Sequence, residues 1–121
     1  MQLNKPKYSL MKNFMYAIDG LIEIGRHELS FKIEVIGFIV FGVIAWSLPI
    51  KFIYSSILFI SLFIPILAEI INSAIERVVD LTTTEHKPLA KQAKDAGAAL
   101  VLVSLIVVVL IWIFVLITAF T

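Results

Sequence analysis

Charge is absent from three stretches of the chain, residues 35–50, 52–68 and 96–121. A helix needs about 20 apolar residues to cross a bilayer, with roughly 17 as a lower limit. The first run falls short alone but suffices when its helix begins near Leu29 and Lys32 and Glu34 snorkel to the interface. The pattern predicts an all-α, polytopic membrane protein with spans over 29–50, 52–81 and 89–121, the second extending past the bilayer. Leu48-Pro49-Ile50-Lys51 leaves room only for a tight turn, so the first two spans form an antiparallel hairpin whose first helix Pro49 can end. Thr82-Thr83-Thr84 and Pro88 mark a loop, and Pro88 suits the first turn of the third span.

Ahead of these spans the pattern changes to helical spacing. Between Tyr8 and Gly25, Leu10 and Met11, Phe14 and Met15, Ile18, and Leu21 and Ile22 recur every three to four residues, with Lys12, Asn13, Asp19 and Glu23 opposite. That is the signature of a helix lying in the membrane surface, expected over 1–27. It reads equally as a plain anchor and as a lid or wall for a site at the interface. Lys5 and Lys7 precede the segment, but its internal charges and the lack of a small-residue cleavage site argue against a cleaved leader.

Composition sharpens this picture. The chain has 121 residues, 60% of them hydrophobic. With a mean hydropathy of +1.01 it is a single domain, 1–121, that has the bilayer as its solvent. A net charge of +1 without a basic cluster excludes nucleic acid as a partner. The lack of cysteine excludes disulfides, thiolate catalysis and Cys-type zinc sites. Of the ten Lys and Arg residues only Lys51, in the turn between the first two spans, falls on the far side of the membrane; the others precede the first span's core or lie between the second and third spans. The positive-inside rule then puts the N-terminus and the 77–94 region in the cytoplasm and the C-terminus outside.

Chemistry concentrates on the second span. Glu69, Asn72, Glu76 and Asp80 share one helical face within roughly 80°. Counting from Phe52, Glu69 lies about 26 Å along the axis, at the inner boundary of a hydrocarbon core about 30 Å thick, and Glu76 about 10 Å further out. A solvated helix extension would explain Asp80, and Glu76 about equally well. It would not explain Glu69, because an ionised carboxylate in hydrocarbon costs on the order of 3 kcal/mol. Lys91, Lys94 and Asp95 share a face at the start of the third span, and Ala93 and Gly97 form a small-xxx-small pair that permits close helix approach. Lysine at the depth of those carboxylates reads as a phosphate binder. No P-loop, dinucleotide fingerprint, HExxH or serine-elbow motif occurs. Magnesium held by one or two carboxylates and nucleotide phosphates fits such a set.

Residues 68–80, Ala-Glu-Ile-Ile-Asn-Ser-Ala-Ile-Glu-Arg-Val-Val-Asp, with the downstream 90–99 segment containing Lys94-Asp95-Ala96-Gly97, resemble the prokaryotic diacylglycerol kinase family. Asp19-Gly20-Leu21 and the stretch Glu28 to Glu34 extend the resemblance over nearly the whole chain. It implies a homotrimeric membrane kinase that moves the γ-phosphate of ATP to a lipid hydroxyl with Mg2+. Glu69 then resembles the general base, Asn72 an orienting group, and Glu28 and Glu76 the metal-holding pair, which also meets ATP. The resemblance further implies nucleotide contacts from Tyr16, Glu85, His86, Lys87, Lys94 and Asp95, and lipid contacts from Phe31, Glu34 and Trp112 beside Glu69. The chain departs from the family at Glu85-His86-Lys87, where Glu-Tyr-His or Glu-His-His is frequent, and near Ser9, where an arginine is frequent.

The resemblance implies an enzyme of a bacterial inner membrane that converts diacylglycerol to phosphatidic acid, with undecaprenol as an alternative lipid. Two non-enzymatic readings stand beside them: a small ion or proton pathway through Glu69 and Glu76, and a three-helix interaction subunit.

Overall fold

The computed structural model describes residues 9–121. Lys5, Lys7 and Tyr8, with the rest of the first eight residues of the expected surface helix, lie outside them. Five helices follow in order: α1 (Leu10–His27), α2 (Leu29–Ser47), α3 (Phe52–Ser61), α4 (Phe63–Thr82) and α5 (Pro88–Phe120). No strand occurs among the described residues. α2, the α3–α4 pair and α5 are each long and apolar enough to cross a membrane.

Local chemistry sets the breaks. Ser9 caps α1 in extended conformation, its hydroxyl accepting the Lys12 backbone N–H at 3.5 Å. Arg26 and His27 sit in the last turn, where cations complement the helix dipole. A single extended residue, Glu28, then separates α1 from α2, so the chain turns from one helix axis to the next at one position. The apolar residues of α1 stay exposed, Leu10 at 75% and Phe14 at 64%, while Ile24 is its buried residue. That face needs a membrane surface to cover it.

α2 stops at Ser47 because Pro49 disfavours the helical region at the residue before it, and Leu48 is accordingly extended. The second span is two helices, not the unbroken one that its apolar run predicts. Pro65 has no N–H to offer the carbonyl of Ser61, and its ring crowds that carbonyl. The chain tightens there, with the Leu62 N–H donating to Phe59 O at 3.1 Å. The Ser61 hydroxyl donates to Leu58 O at 2.6 Å and accepts Trp112 Nε1–H from α5 at 3.1 Å, so the break is tied to the third span.

α5 packs chiefly along α4 and α3, while α2 packs on α3 and α4. The core is thin: Phe31, Ala45, Leu58, Leu62 and Ala68 are buried. Beside them Phe38, Phe59 and Phe63 meet in tilted and edge-to-face contacts, the closest with ring centroids 4.8 Å apart. Leu102, Val103, Val109 and Phe114 of α5 remain more than half exposed, a surface only hydrocarbon tolerates. α5 runs for 33 residues. At 1.5 Å rise per residue it is about 50 Å long, so its first turns reach beyond a hydrocarbon core of about 30 Å. That reach sets Lys91, Lys94 and Asp95 beside the end of α4.

Candidate active site at the polar end of the helix bundle

Helical spacing puts Glu69, Asn72 and Glu76 on the face of α4 turned toward α2 and α5. Glu69 is 4% exposed and Asn72 7%. The Ser30 hydroxyl on α2 donates to Glu69 Oε1 at 2.6 Å, a short, charge-assisted hydrogen bond. Glu34 lies one turn along α2 from Ser30. Among the described residues, the buried side-chain polar atoms without a partner are Asn72 Oδ1 and Ser73 Oγ. Among the described residues, the hydrogen bond that Glu69 accepts falls on Oε1 and leaves Oε2 without one. A carboxylate with one oxygen so fixed can accept a proton on the other from a hydroxyl that reaches it.

Asn72 links the next level. Its Nδ2 donates to Glu76 Oε1 at 3.4 Å, and its oxygen lies against Gly97 of α5, where a side-chain Cβ would run into it. Asn72 thus presents a donor toward Glu76 and could not serve as a metal ligand in this conformation. The small residue at position 97 is what lets α4 and α5 close around it.

Lysine and acid pairs line the outermost level. Lys94 Nζ meets Asp80 Oδ1 at 2.6 Å, and Lys91 Nζ meets Asp95 Oδ2 at 2.6 Å. Both pairs are exposed, so a polyanion could displace either carboxylate at little cost. Asp80, Glu85, His86, Lys87, Lys91, Lys94 and Asp95 line one cavity of about 570 Å3 between the ends of α4 and α5. The structure therefore brings together Glu85, His86, Lys87, Lys94 and Asp95 of the predicted nucleotide set. Tyr16, on α1, does not line this cavity, and neither do Glu28 and Glu76.

Glu28 lies at the α1–α2 junction, where Arg77 Nη2 reaches its Oε1 at 3.2 Å and Glu23 Oε1 at 3.3 Å. His27 Nδ1 in turn lies 2.8 Å from Glu23 Oε2. Among the described residues no three His, Cys, Asp or Glu side chains converge on one point. Glu76 has one weakly engaged oxygen and Glu28 one oxygen on Arg77; an ion held by these carboxylates alone would have to complete its shell with phosphate oxygens and water. Magnesium binds in that manner.

Of the predicted lipid contacts, Glu34 and Trp112 line a second cavity of about 510 Å3 with Gly37, Phe38, Phe41 and Leu105, open between α2 and α5 and apolar but for the Glu34 end. Phe31 is buried instead, with Gly25 of α1 beside its ring. Two residues of this site escaped sequence reasoning. Ser30 is a lone serine near a helix start, and nothing in its spacing marks a partner 39 residues away. Arg77 sits off the carboxylate stripe and reads as a charge at the interface.

Known proteins match this sequence over most of its length. The sequence model of the family described as prokaryotic diacylglycerol kinase matches residues 15–116. A diacylglycerol kinase of Helicobacter pylori (strain 26695) is 40% identical over 103 residues, 85% of this chain and 80% of that one. A diacylglycerol kinase of Escherichia coli (strain K12) is 36% identical over 103 residues, covering 85% and 84%. An undecaprenol kinase of Bacillus subtilis (strain 168) is 35% identical over 92 residues, covering 76% and 75%. The chain belongs to the prokaryotic diacylglycerol kinase family.

Proposed function

We propose that this chain is a bacterial membrane lipid kinase that transfers the γ-phosphoryl group of ATP to the free hydroxyl of diacylglycerol, producing phosphatidic acid and ADP. One observation carries the reading. A buried carboxylate held at Oε1 by Ser30, Glu69, lies on the same helix whose end borders a cavity rimmed by Lys87, Lys91 and Lys94, and residue counting puts it near the boundary of a hydrocarbon core. A lipid alcohol and a nucleotide polyphosphate meet at such a place.

In this account the lipid hydroxyl gives its proton to Oε2 of Glu69 as its oxygen bonds to the γ-phosphorus. The bond from that phosphorus to the β,γ-bridging oxygen breaks, and ADP leaves with the electron pair. Lys94 exchanges Asp80 for the phosphates and neutralises charge on them. Asn72 holds Glu76 in orientation, and Glu76 with Glu28 is the pair that would hold magnesium. When bound, that ion neutralises the β- and γ-phosphate oxygens. Because phosphoryl transfer needs chiefly positioning and charge neutralisation, this sparse set is sufficient. The reading puts the N-terminus and the site in the cytoplasm at the inner membrane and the active form as a homotrimer. The cavity bordered by Glu34 and Trp112 would take an acyl chain.

A second reading, undecaprenol kinase, is favoured by the Bacillus subtilis relative of that name. Incubation of the purified protein in mixed micelles with magnesium and γ-labelled ATP, offering each lipid in turn, separates them. Label is expected in phosphatidic acid, and chelation of magnesium is expected to stop its appearance. Label only in undecaprenyl phosphate assigns the second reading, and label in neither lipid overturns the kinase assignment.

A further inference from the structure

Glu69 poses a problem that the reaction alone does not solve. A general base must hold one oxygen on the substrate proton. A buried carboxylate, here 4% exposed, that is free to turn about its last torsion would present either oxygen, because that rotation is broad and roughly two-fold.

Ser30 and Glu34 are four residues apart on α2 and face Glu69 from one side. Of these two, Ser30 bonds it directly: its hydroxyl donates to Glu69 Oε1 at 2.6 Å. Arg77, the nearest cation along α4, is committed to Glu23 and Glu28. Lys94 is committed to Asp80. Among the described residues the hydrogen bond that Glu69 accepts is therefore the one from Ser30. Ser30 is itself exposed, at the edge of the site.

Resting on the proposed role of Glu69, we infer that Ser30 is the positioning residue of the general base: its hydroxyl fixes Oε1 and leaves Oε2 turned to the lipid hydroxyl. Ser30 touches neither reacting atom and acts through Glu69. This role is distinct from lipid binding, because loss of the hydroxyl misorients the base without removing any apolar contact. It therefore acts on turnover and not on affinity.

The test compares Ser30→Ala, Ser30→Thr and Glu69→Gln with the parent protein in mixed micelles, measuring kcat and both KM values. Alanine suits a helix at this position, and helical circular dichroism with the denaturation midpoint checks that each variant is folded. Ser30→Ala is expected to lower kcat about 10-fold or more, as loss of a hydrogen bond to a charged group and a misplaced base imply. KM for ATP and for lipid should stay within about 2-fold, and Ser30→Thr, which restores a hydroxyl, should recover most of the rate. An inactive Glu69→Gln beside a fully active Ser30→Ala overturns this inference and leaves the general base standing. A fully active Glu69→Gln overturns the general base itself. Equal loss in Ser30→Ala and Ser30→Thr, or a rise in lipid KM alone, also overturns the inference.

Discussion

Replacing Gly97 by alanine adds one methyl group, and the structure says where it lands. The new Cβ points into the side-chain amide of Asn72, with Oδ1 far inside contact distance, while Ile75 Cδ1 at 3.6 Å is an ordinary neighbour. Asn72 is 7% exposed and cannot retreat into solvent. Either its side chain turns, breaking the 3.4 Å contact from Nδ2 to Glu76, or α5 moves away from α4. Overpacking of this kind costs about 1–3 kcal/mol. The helix preference for alanine over glycine returns at most about 1 kcal/mol. A net loss of up to about 2 kcal/mol remains, read by denaturation in mixed micelles followed by circular dichroism. Turnover should fall about 10-fold, because the displaced amide no longer orients Glu76. Asn72→Ala removes the obstacle, so in that background Gly97→Ala should cost no further stability; such a cycle isolates the pair. Gly20→Ala is the control, since nothing lies within 4 Å of its Cβ. Parent-like stability and turnover in Gly97→Ala would refute the packing argument.

Other outcomes follow from the same geometry. Lys94→Met should raise KM for ATP about 10-fold and leave the denaturation midpoint where it is, because its partner Asp80 is solvent-exposed. Trp112→Phe keeps an aromatic ring against Phe41 but loses the donor to Ser61, and should lower stability by about 1 kcal/mol in the same denaturation assay. Arg77→Gln releases Glu23 and Glu28 together and should speed backbone hydrogen exchange over residues 20–28, read by mass spectrometry, with little change at residues 69–76.

Much of this architecture was legible in the chain because bilayer spans announce themselves by length and lack of charge. The carboxylate stripe was equally readable, since a helical period puts Glu69, Asn72 and Glu76 on one face whatever surrounds them. Pro88 opens α5 as its residue type predicts. The break at Leu62 was hidden: Pro65 lies inside an apolar run with nothing else to distinguish a kinked span from a straight one. Pairings between helices were hidden for a different reason. Whether Ser30 meets Glu69, or Lys94 meets Asp80, depends on the rotation of each helix about its axis, which is set by contacts such as Gly97 on Asn72 and not by local pattern. The small-xxx-small pair at Ala93 and Gly97 marked a close approach without naming the residue it admits.

The role of Glu69 as the acceptor of the lipid proton is tested most directly by the turnover of Glu69→Gln, with nucleotide binding measured on the same preparation. Glutamine keeps the size and the Ser30 contact but cannot take up the proton. General-base catalysis contributes about 10²–10⁴-fold, so labelled phosphatidic acid should fall by at least about 100-fold while ATP binds within about 3-fold of the parent. Parent-like turnover in that variant would contradict the account.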